Sequence, residues 1–156
     1  MINYKPSDAV RVWPEGTYRA TLEKSEETTS QAGNDMYALT FKAYDGSSSM
    51  LISDWIVMPD FTWKLKKLAD ALGALDEFNK CLKCGQTEDA HTNNGECAFQ
   101  GSFNPVDYEN KNLALSMKIE KARGGFDECN RIKAYLRKDM APAVAKEEED
   151  VDALFG

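Results

Sequence analysis

The fold is decided by residues 16–57, which read GTYRATLEKSEETTSQAGNDMYALTFKAYDGSSSMLISDWIV. Apolar and polar residues alternate over 16–24, and this two-residue period is typical of a strand with one buried face. A similar pattern predicts a second strand over 36–44. A third strand is predicted over 50–57, where apolar residues occur on both faces and leave the register ambiguous. Asp45-Gly46 between them is a strong hairpin signal. The stretch therefore predicts three strands joined by polar turns.

A helix and two more strands are predicted beyond this stretch. Asp60 is expected to cap a helix that ends near Gly73. Alternation then predicts a fourth strand over 113–120 and a fifth over 129–137. The fifth strand is expected to bury Ile132, Ala134 and Leu136.

This order of elements is the order of an OB-fold, a five-stranded Greek-key barrel with a helix between strands 3 and 4. We therefore expect a mainly β (α+β) protein with a single OB-fold domain over 1–139. Residues at about 74–112 are expected to form a zinc-binding loop insertion within it. Residues 140–156 are expected to be a disordered acidic tail, because they lack an apolar period and carry a run of like charge.

Three of the four cysteines and the only histidine lie within the insertion, with the spacing C-x2-C-x6-H-x5-C. A tetrahedral Zn²⁺ site needs four such ligands, and the expected set is Cys81, Cys84, His91 and Cys97. Gly85 allows the positive φ that a turn between paired cysteines often needs. Cys129 is the rival fourth ligand. Unligated thiols and a disulfide are the remaining alternatives.

The formal net charge of −7 argues against a generally basic, nucleic-acid-binding surface. The last ten residues, EEEDVDALFG, hold five of the acidic charges, and removing these from −7 leaves −2 for residues 1–146. A nucleic-acid surface would therefore be a local basic patch. Without a signal peptide or an apolar membrane span, and with cysteines at metal spacing, we expect a cytoplasmic protein.

Several short motifs carry a family resemblance: Pro14-Glu15-Gly16-Thr17-Tyr18, Gly33-Asn34-Asp35-Met36, Trp63-Lys64-Leu65-Lys66-Lys67-Leu68 and Asn130-Arg131-Ile132-Lys133. In their order and spacing they resemble the bacteriophage family of small OB-fold single-stranded DNA-binding proteins. The resemblance implies a protein that coats single-stranded DNA during replication and recombination in the cytoplasm of a bacterial host. The cysteine insertion departs from that family and is similar to a zinc knuckle with longer gaps. It is either structural or in contact with nucleic acid.

The acidic tail resembles the tails of replication single-strand-binding proteins, except that Phe155 is followed by Gly156. The resemblance implies that the tail recruits replication or recombination partners. The expected partner-binding residues are Asp150, Asp152, Leu154 and Phe155.

Binding of single strands without sequence preference needs cations for the phosphates and aromatic faces for the bases. One face of the fifth strand offers both, through Arg131, Lys133, Tyr135 and Arg137. Outward positions on other strands add Arg19, Lys42, Tyr44 and Lys118, with Trp55 and Lys121 as less certain additions. An ordinary solvated strand face is the alternative, and for Tyr44 and Trp55 so is core packing.

The sequence is also compatible with function classes other than DNA binding. An enzyme is not expected, because the single histidine is assigned to the metal and no paired carboxylates or nucleophile–base pair is present. A zinc-stabilised protein-interaction adaptor and a single-strand annealing protein are the alternatives. The sequence does not separate DNA from RNA preference, and a homodimer is compatible with it.

Overall fold

The structure is a computed structural model that describes residues 1–3, 12–90, 97–121 and 128–141. Its strands are β1 (Gly16–Thr29), β2 (Asp35–Tyr44), β3 (Ser49–Val57), β4 (Asn112–Glu120) and β5 (Cys129–Leu136). Two helices, α1 (Thr62–Ala71) and α2 (Leu75–Asn79), and a 3-10 turn at Pro105–Tyr108 lie between β3 and β4. A second 3-10 turn, Lys138–Met140, follows β5. The predicted order of strands and first helix is confirmed, and α2 is an additional element.

The five strands form one antiparallel sheet in the order β3-β2-β1-β4-β5. The two edge strands, β3 and β5, approach each other, but among the described residues no ladder of backbone hydrogen bonds joins them. The protein is therefore mainly β, with an open five-stranded sheet that is consistent with a barrel-like OB arrangement but is not closed into a complete barrel.

The core fills the inner face of this curved sheet. Leu22, Leu39, Phe41, Leu113 and Leu115 are completely buried there, as the two-residue period of their strands predicts. Helix α1 packs against β3 and β5 and contributes two leucines to the same cluster. Each such side chain contributes about 1.5–3 kcal/mol of hydrophobic stabilisation, so this cluster anchors the sheet and α1 to one another.

Side chains connect β3 to β5 where the backbone ladder is missing. The Tyr135 hydroxyl donates a hydrogen bond to Asp54 Oδ2, and Lys64 Nζ of α1 donates to Asp54 Oδ1 at 2.8 Å. The ring of Tyr135 also packs against Phe41, with ring centroids 5.6 Å apart. We call this contact between β3, β5 and α1 the seam.

The predicted orientation of β5 is wrong beyond Ile132. Met117 of β4 pairs with Ile132, whereas the preceding residue, Ser116, pairs with Ala134, so Lys133 is an extra residue in β5. Such a bulge shifts the alternation by one residue. Tyr135 consequently faces the core and is only 5% exposed, in place of the outward position that strict alternation predicts.

The start of α1 also differs from the prediction. Phe61, not Asp60, is the N-cap residue, and no side chain caps the helix. The Pro59 carbonyl instead accepts hydrogen bonds from the Thr62 N–H at 3.1 Å and from Thr62 Oγ1 at 2.6 Å. At the helix start, a turn therefore provides the acceptor for the Thr62 N–H, in place of the predicted Asp60 side chain.

Two predicted features lie outside the described residues: His91, and the acidic tail with its partner-binding positions Asp150, Asp152, Leu154 and Phe155. None of the helices in the described parts of the chain combines the length and apolar character needed to cross a membrane.

Candidate metal centre and nucleic-acid interface

The first two cysteines lie on a tight turn that follows α2. The Cys81 N–H donates to the Gln86 carbonyl and the Gly85 N–H donates to the Cys81 carbonyl, both at 2.8 Å. Gly85 has a φ of 73°, a conformation that glycine adopts without steric cost. The backbone therefore turns sharply enough to bring Cys84 back beside Cys81, as the C-x2-C-G spacing predicts.

The third cysteine arrives on a separate segment. Cys81 forms an antiparallel bridge with Gly101, and the Leu82 N–H donates to the Gln100 carbonyl at 2.7 Å. These contacts hold the segment that follows Cys97 against the turn. The three sulfur atoms of Cys81, Cys84 and Cys97 consequently lie within 4.8 Å of one another and could hold a metal ion.

The sulfur spacing matches that of metal ligands and excludes a disulfide in this conformation. The Sγ atoms of Cys81 and Cys97 are 3.8 Å apart, far beyond the S–S bond length of about 2.0 Å. Two sulfurs bound to one zinc ion at about 2.3 Å with a tetrahedral angle are separated by about 3.8 Å. Three thiolates are also a donor set that suits zinc and other soft or borderline metals.

The electrostatics of the cluster favour a bound cation. Backbone N–H groups, first that of Gln100 and then those of Cys84 and Lys83, lower the pKa of the Cys81 thiol to about 6. Burial and the neighbouring thiols of Cys81 and Cys84 raise the pKa of Cys97 to about 11. Three sulfurs this close cannot all be ionised without a positive charge between them, and a metal ion supplies that charge.

Cys129 does not lie with the other three cysteines. This residue is described by the structure, at the first position of β5 opposite Glu120, and its sulfur does not join the three-cysteine cluster. The rival ligand set with Cys129 is therefore not supported. The expected ligand His91 lies among residues 91–96, which the structure does not describe.

Part of the predicted nucleic-acid surface is brought together on the outer face of β1, β2 and β3. The strand register places Arg19 directly opposite Tyr44 and Thr21 opposite Lys42. Lys42 Nζ lies 5.8 Å from the centroid of the Tyr44 ring, within the range of a cation–π contact. Two cations and an aromatic ring thus occupy neighbouring positions on one sheet face.

Trp55 lies further along the same face. It pairs with Ala38, on the outward side of β3, and 46% of its surface is exposed, so it is not a core residue. Trp55 is four positions along β3 from Leu51, the partner of Lys42. This offset corresponds to about 13 Å along the strand. We call Arg19, Lys42, Tyr44 and Trp55 the sheet patch.

The predicted group on β5 is not a common binding face. Tyr135 is buried at the seam, so the prediction that it stacks a base is wrong. Arg131 is bonded to Glu120 and Arg137 to Asp70, both at 2.7 Å, and these carboxylates raise the pKa of each arginine. The strand bulge at Lys133 separates the two arginines.

The other predicted cations lie near one end of the β4–β5 pair. Lys118 of β4 is exposed and lies opposite Arg131, and Lys121 follows the end of β4. Lys118 and Arg131 thus form a second, smaller basic site next to Glu120, and they are not part of the sheet patch.

An exposed aromatic pair on α1 was not among the predicted site residues. Phe61 and Trp63 are 44% and 61% exposed, and their ring centroids are 6.1 Å apart. The sequence signal for this group is the spacing of Trp63, Lys66 and Lys67, which places all three on one helical face.

A cavity of about 1200 Å³ lies between the cysteine turn, the start of α1 and the distal end of the β1–β2 hairpin. Its described lining includes Glu27, Asp35, Glu88 and Asp89, together with aromatic residues such as Tyr37. Burial, and then the charges of Glu27 and Asp35, raise the pKa of Tyr37. This concentration of carboxylates repels phosphate, so the cavity is not a site for nucleic acid.

No protein-family model matches the sequence, and no curated protein matches it at a significant level. The resemblance to phage single-stranded DNA-binding proteins therefore remains a prediction that rests on the short motifs.

Proposed function

We propose that this protein binds single-stranded DNA through the sheet patch and coats it during replication or recombination. The observation that carries the proposal is the cross-strand group of Arg19, Lys42 and Tyr44 on an outer sheet face. Cations and an aromatic ring in adjacent positions are the two components that sequence-independent binding of single strands requires.

The chemistry of the patch assigns a role to each member. Arg19 and Lys42 contact phosphates, and the rings of Tyr44 and Trp55 stack bases, each stack contributing about 1–3 kcal/mol. Two small side chains, Thr40 and Ser53, lie between the Lys42–Leu51 pair and Trp55 on the outward side of the sheet. They leave room for unstacked bases between Tyr44 and Trp55.

We also propose that the sheet is an OB-fold and that the protein is of the phage single-stranded DNA-binding type. The strand order, the helix between β3 and β4, and the close approach of β3 to β5 support an OB-fold of the phage single-stranded DNA-binding type. In OB-folds the face of strands 2 and 3 binds oligonucleotides, and three members of the sheet patch lie on β2 and β3. The acidic tail is proposed to recruit partner proteins through Asp150, Asp152, Leu154 and Phe155.

We also propose that the cysteine cluster binds Zn²⁺, with His91 as the fourth ligand. The tetrahedral spacing of the sulfurs of Cys81 and Cys97 supports zinc. Four protein ligands leave no open position on the ion, so its role is to hold the turn and the segment after Cys97 together.

Titration of a fluorescent oligo(dT) at two or more salt concentrations tests the proposed function. Wild-type protein is expected to bind, with an affinity that falls as salt rises. The variant R19Q/K42Q is expected to lower the magnitude of the salt slope by about 1.4, because two phosphate contacts are lost. Y44A is expected to weaken binding by about 1–3 kcal/mol.

The matched control is K111Q/K138Q, which removes two exposed lysines that lie outside the patch. It is expected to bind as the wild type does. Equal losses in R19Q/K42Q and in this control would show that binding follows overall charge and not the patch. No binding of oligo(dT) at low salt would refute the proposal.

A zinc-stabilised protein-interaction adaptor is the second candidate, and the acidic cavity favours it. Its carboxylates and aromatic residues are suited to a basic peptide with an apolar anchor. An adaptor of this kind is expected to show no affinity for oligo(dT) at any salt concentration, so the same titration separates the two functions.

A further inference from the structure

One face of α1 presents aromatic and basic side chains to solvent. Trp63, Lys66 and Lys67 are spaced i, i+3 and i+4, so they share one side of the helix, and all three are exposed. Phe61, at the N-cap, contacts Trp63 with the two rings inclined by 49°. We call these four residues the helix patch.

The helix patch lies away from the side of α1 that packs against the core. Helix α1 is anchored through its opposite side, where Leu65, Leu68 and Ala69 are buried. Phe61 and Trp63 nevertheless keep 44% and 61% of their surface in water. A pair of large exposed aromatic side chains beside two lysines is typical of an interaction surface.

The first turn of α1 is bonded to β3 beside the position of Trp55. Lys64 Nζ donates to the carbonyl oxygen of Trp55 at 3.0 Å and to Asp54 Oδ1 at 2.8 Å. These bonds attach the first turn of α1 to the part of β3 that carries Trp55. The sheet patch and the helix patch are therefore carried by segments that adjoin each other.

The charge of the helix patch favours an anionic ligand. Lys66 and Lys67 both point to solvent. Asp70 follows one turn later, and its carboxylate is bonded to Arg137 at 2.7 Å. The patch therefore combines two cations with two aromatic rings, a combination that suits a ligand with both phosphates and flat bases.

We infer that single-stranded nucleic acid continues from the sheet patch onto α1, where Phe61 and Trp63 stack bases and Lys66 and Lys67 contact phosphates. This inference rests on the proposed function, because the strand must first occupy the sheet patch. It extends the site to a second surface and makes the affinity dependent on the length of the bound strand.

The first experiment compares a short and a long oligonucleotide. An oligo(dT) of about four nucleotides is long enough for the sheet patch alone, whereas one of about 15 nucleotides also reaches α1. Wild-type protein is expected to bind the longer strand at least tenfold more tightly. In the variant W63A/K66Q/K67Q this gain is expected to disappear, while affinity for the short strand stays within about twofold of wild type.

The second experiment uses tryptophan fluorescence, since a stacked base quenches an indole ring. Trp63→Phe keeps an aromatic surface, so affinity is expected to fall less than threefold. The quenching caused by the 15-nucleotide strand is nevertheless expected to decrease, because one of the protein's three tryptophans no longer reports. The variant K111Q/K138Q is the control, with wild-type affinity and quenching.

The outcomes separate this inference from the proposed function. If wild-type protein binds both strands but W63A/K66Q/K67Q keeps the full length-dependent gain, α1 is not part of the path, and the sheet patch stands alone. The same conclusion follows if the variant leaves DNA binding unchanged but alters the oligomeric state of the protein. The helix patch would then be a contact between two copies of the chain. If wild-type protein binds neither strand, the proposed function itself fails.

Discussion

Asp54 is the side chain at which β3, β5 and α1 converge. Its two oxygens accept hydrogen bonds from Tyr135 and Lys64, and Oδ1 also accepts the N–H of Trp55 at 2.9 Å. Hydrogen bonds to a carboxylate are stronger than those between neutral groups. The loss of one donor leaves a charge that is less well satisfied, so each donor contributes more than an ordinary surface hydrogen bond.

Tyr135→Phe is therefore expected to destabilise the protein. The ring keeps its packing against Phe41, but the bond to Asp54 is lost, so the free energy of unfolding is expected to fall by about 1.5–3 kcal/mol. Urea denaturation measures the change. Tyr44→Phe, on the outer face of β2, is the control and is expected to change stability by less than about 0.5 kcal/mol. A neutral Tyr135→Phe would show that the hydroxyl does not hold the seam.

The same tyrosine predicts how stability depends on alkaline pH. Burial, and then the charge of Asp54, raise the pKa of Tyr135 above its ordinary value near 10. Above pH 10 the unfolded chain releases this proton while the folded chain retains it, so the free energy of unfolding falls as pH rises. Burial and Glu77 also raise the pKa of Tyr108, to about 12, and it adds to the same trend.

Denaturation measured at pH 8, 10 and 11 tests this expectation. Tyr135→Phe is expected to lose less stability over this range than the wild type, because its side chain has no proton to release. Equal losses in the two proteins would mean that Tyr135 does not contribute to the alkaline transition.

The strands were predictable from alternation because each has one apolar side. The observed bounds of β2, β3 and β4 extend each predicted strand by one residue at its N-terminal end. Strand β1 extends to Thr29 through the polar sequence SEETT, which carries no alternation and was interpreted as a turn. Its backbone is paired with β2 there, and backbone pairing does not require apolar side chains.

The orientation of β5 was not predictable from the same pattern. Arg131, Lys133 and Tyr135 follow a two-residue period, which by itself indicates one common face. The sequence carries no signal for the bulge that interrupts this period. Only the pairing with β4 shows that Lys133 is the extra residue and that Tyr135 turns inward. The sheet patch, by contrast, was predictable in part, because β1 and β2 keep their alternation at Arg19, Lys42 and Tyr44.

The cysteine turn is the local element that the proposed metal ion is expected to hold together. Cys81→Ser is expected to reduce the metal content of purified protein from about one ion per chain to near zero, because one of three clustered sulfurs is lost. Cys129→Ser is the matched control and is expected to retain the metal, since its sulfur is outside the cluster. Elemental analysis measures both. Loss of the metal in Cys129→Ser would restore the rival ligand set.

The charge of the complete chain opposes its proposed ligand. Most of the formal charge of −7 comes from the last ten residues. The cavity carries further carboxylates. The sheet patch and the helix patch are therefore local groups of cations on a molecule that is negatively charged as a whole. Binding of DNA is therefore expected to respond to changes in distant acidic residues as well as in the patches themselves.

Deletion of residues 147–156 is expected to strengthen the binding of oligo(dT) at low salt. The deletion removes five negative charges that repel the phosphates or compete with them for the basic surface. The difference from the full chain is expected to shrink at high salt, because screening shortens the range of charge interactions. An unchanged or weaker affinity at low salt would contradict this expectation.

The seam gives the molecule a preferred line of opening. Strands held by a continuous ladder separate only when many backbone bonds break together, whereas β3 and β5 are held by a tyrosine, an aspartate and a lysine. In amide hydrogen exchange, the facing edges of β3 and β5 are therefore expected to exchange before the amides between β1 and β2. A protein built in this way can widen along one side while the rest of its sheet stays intact.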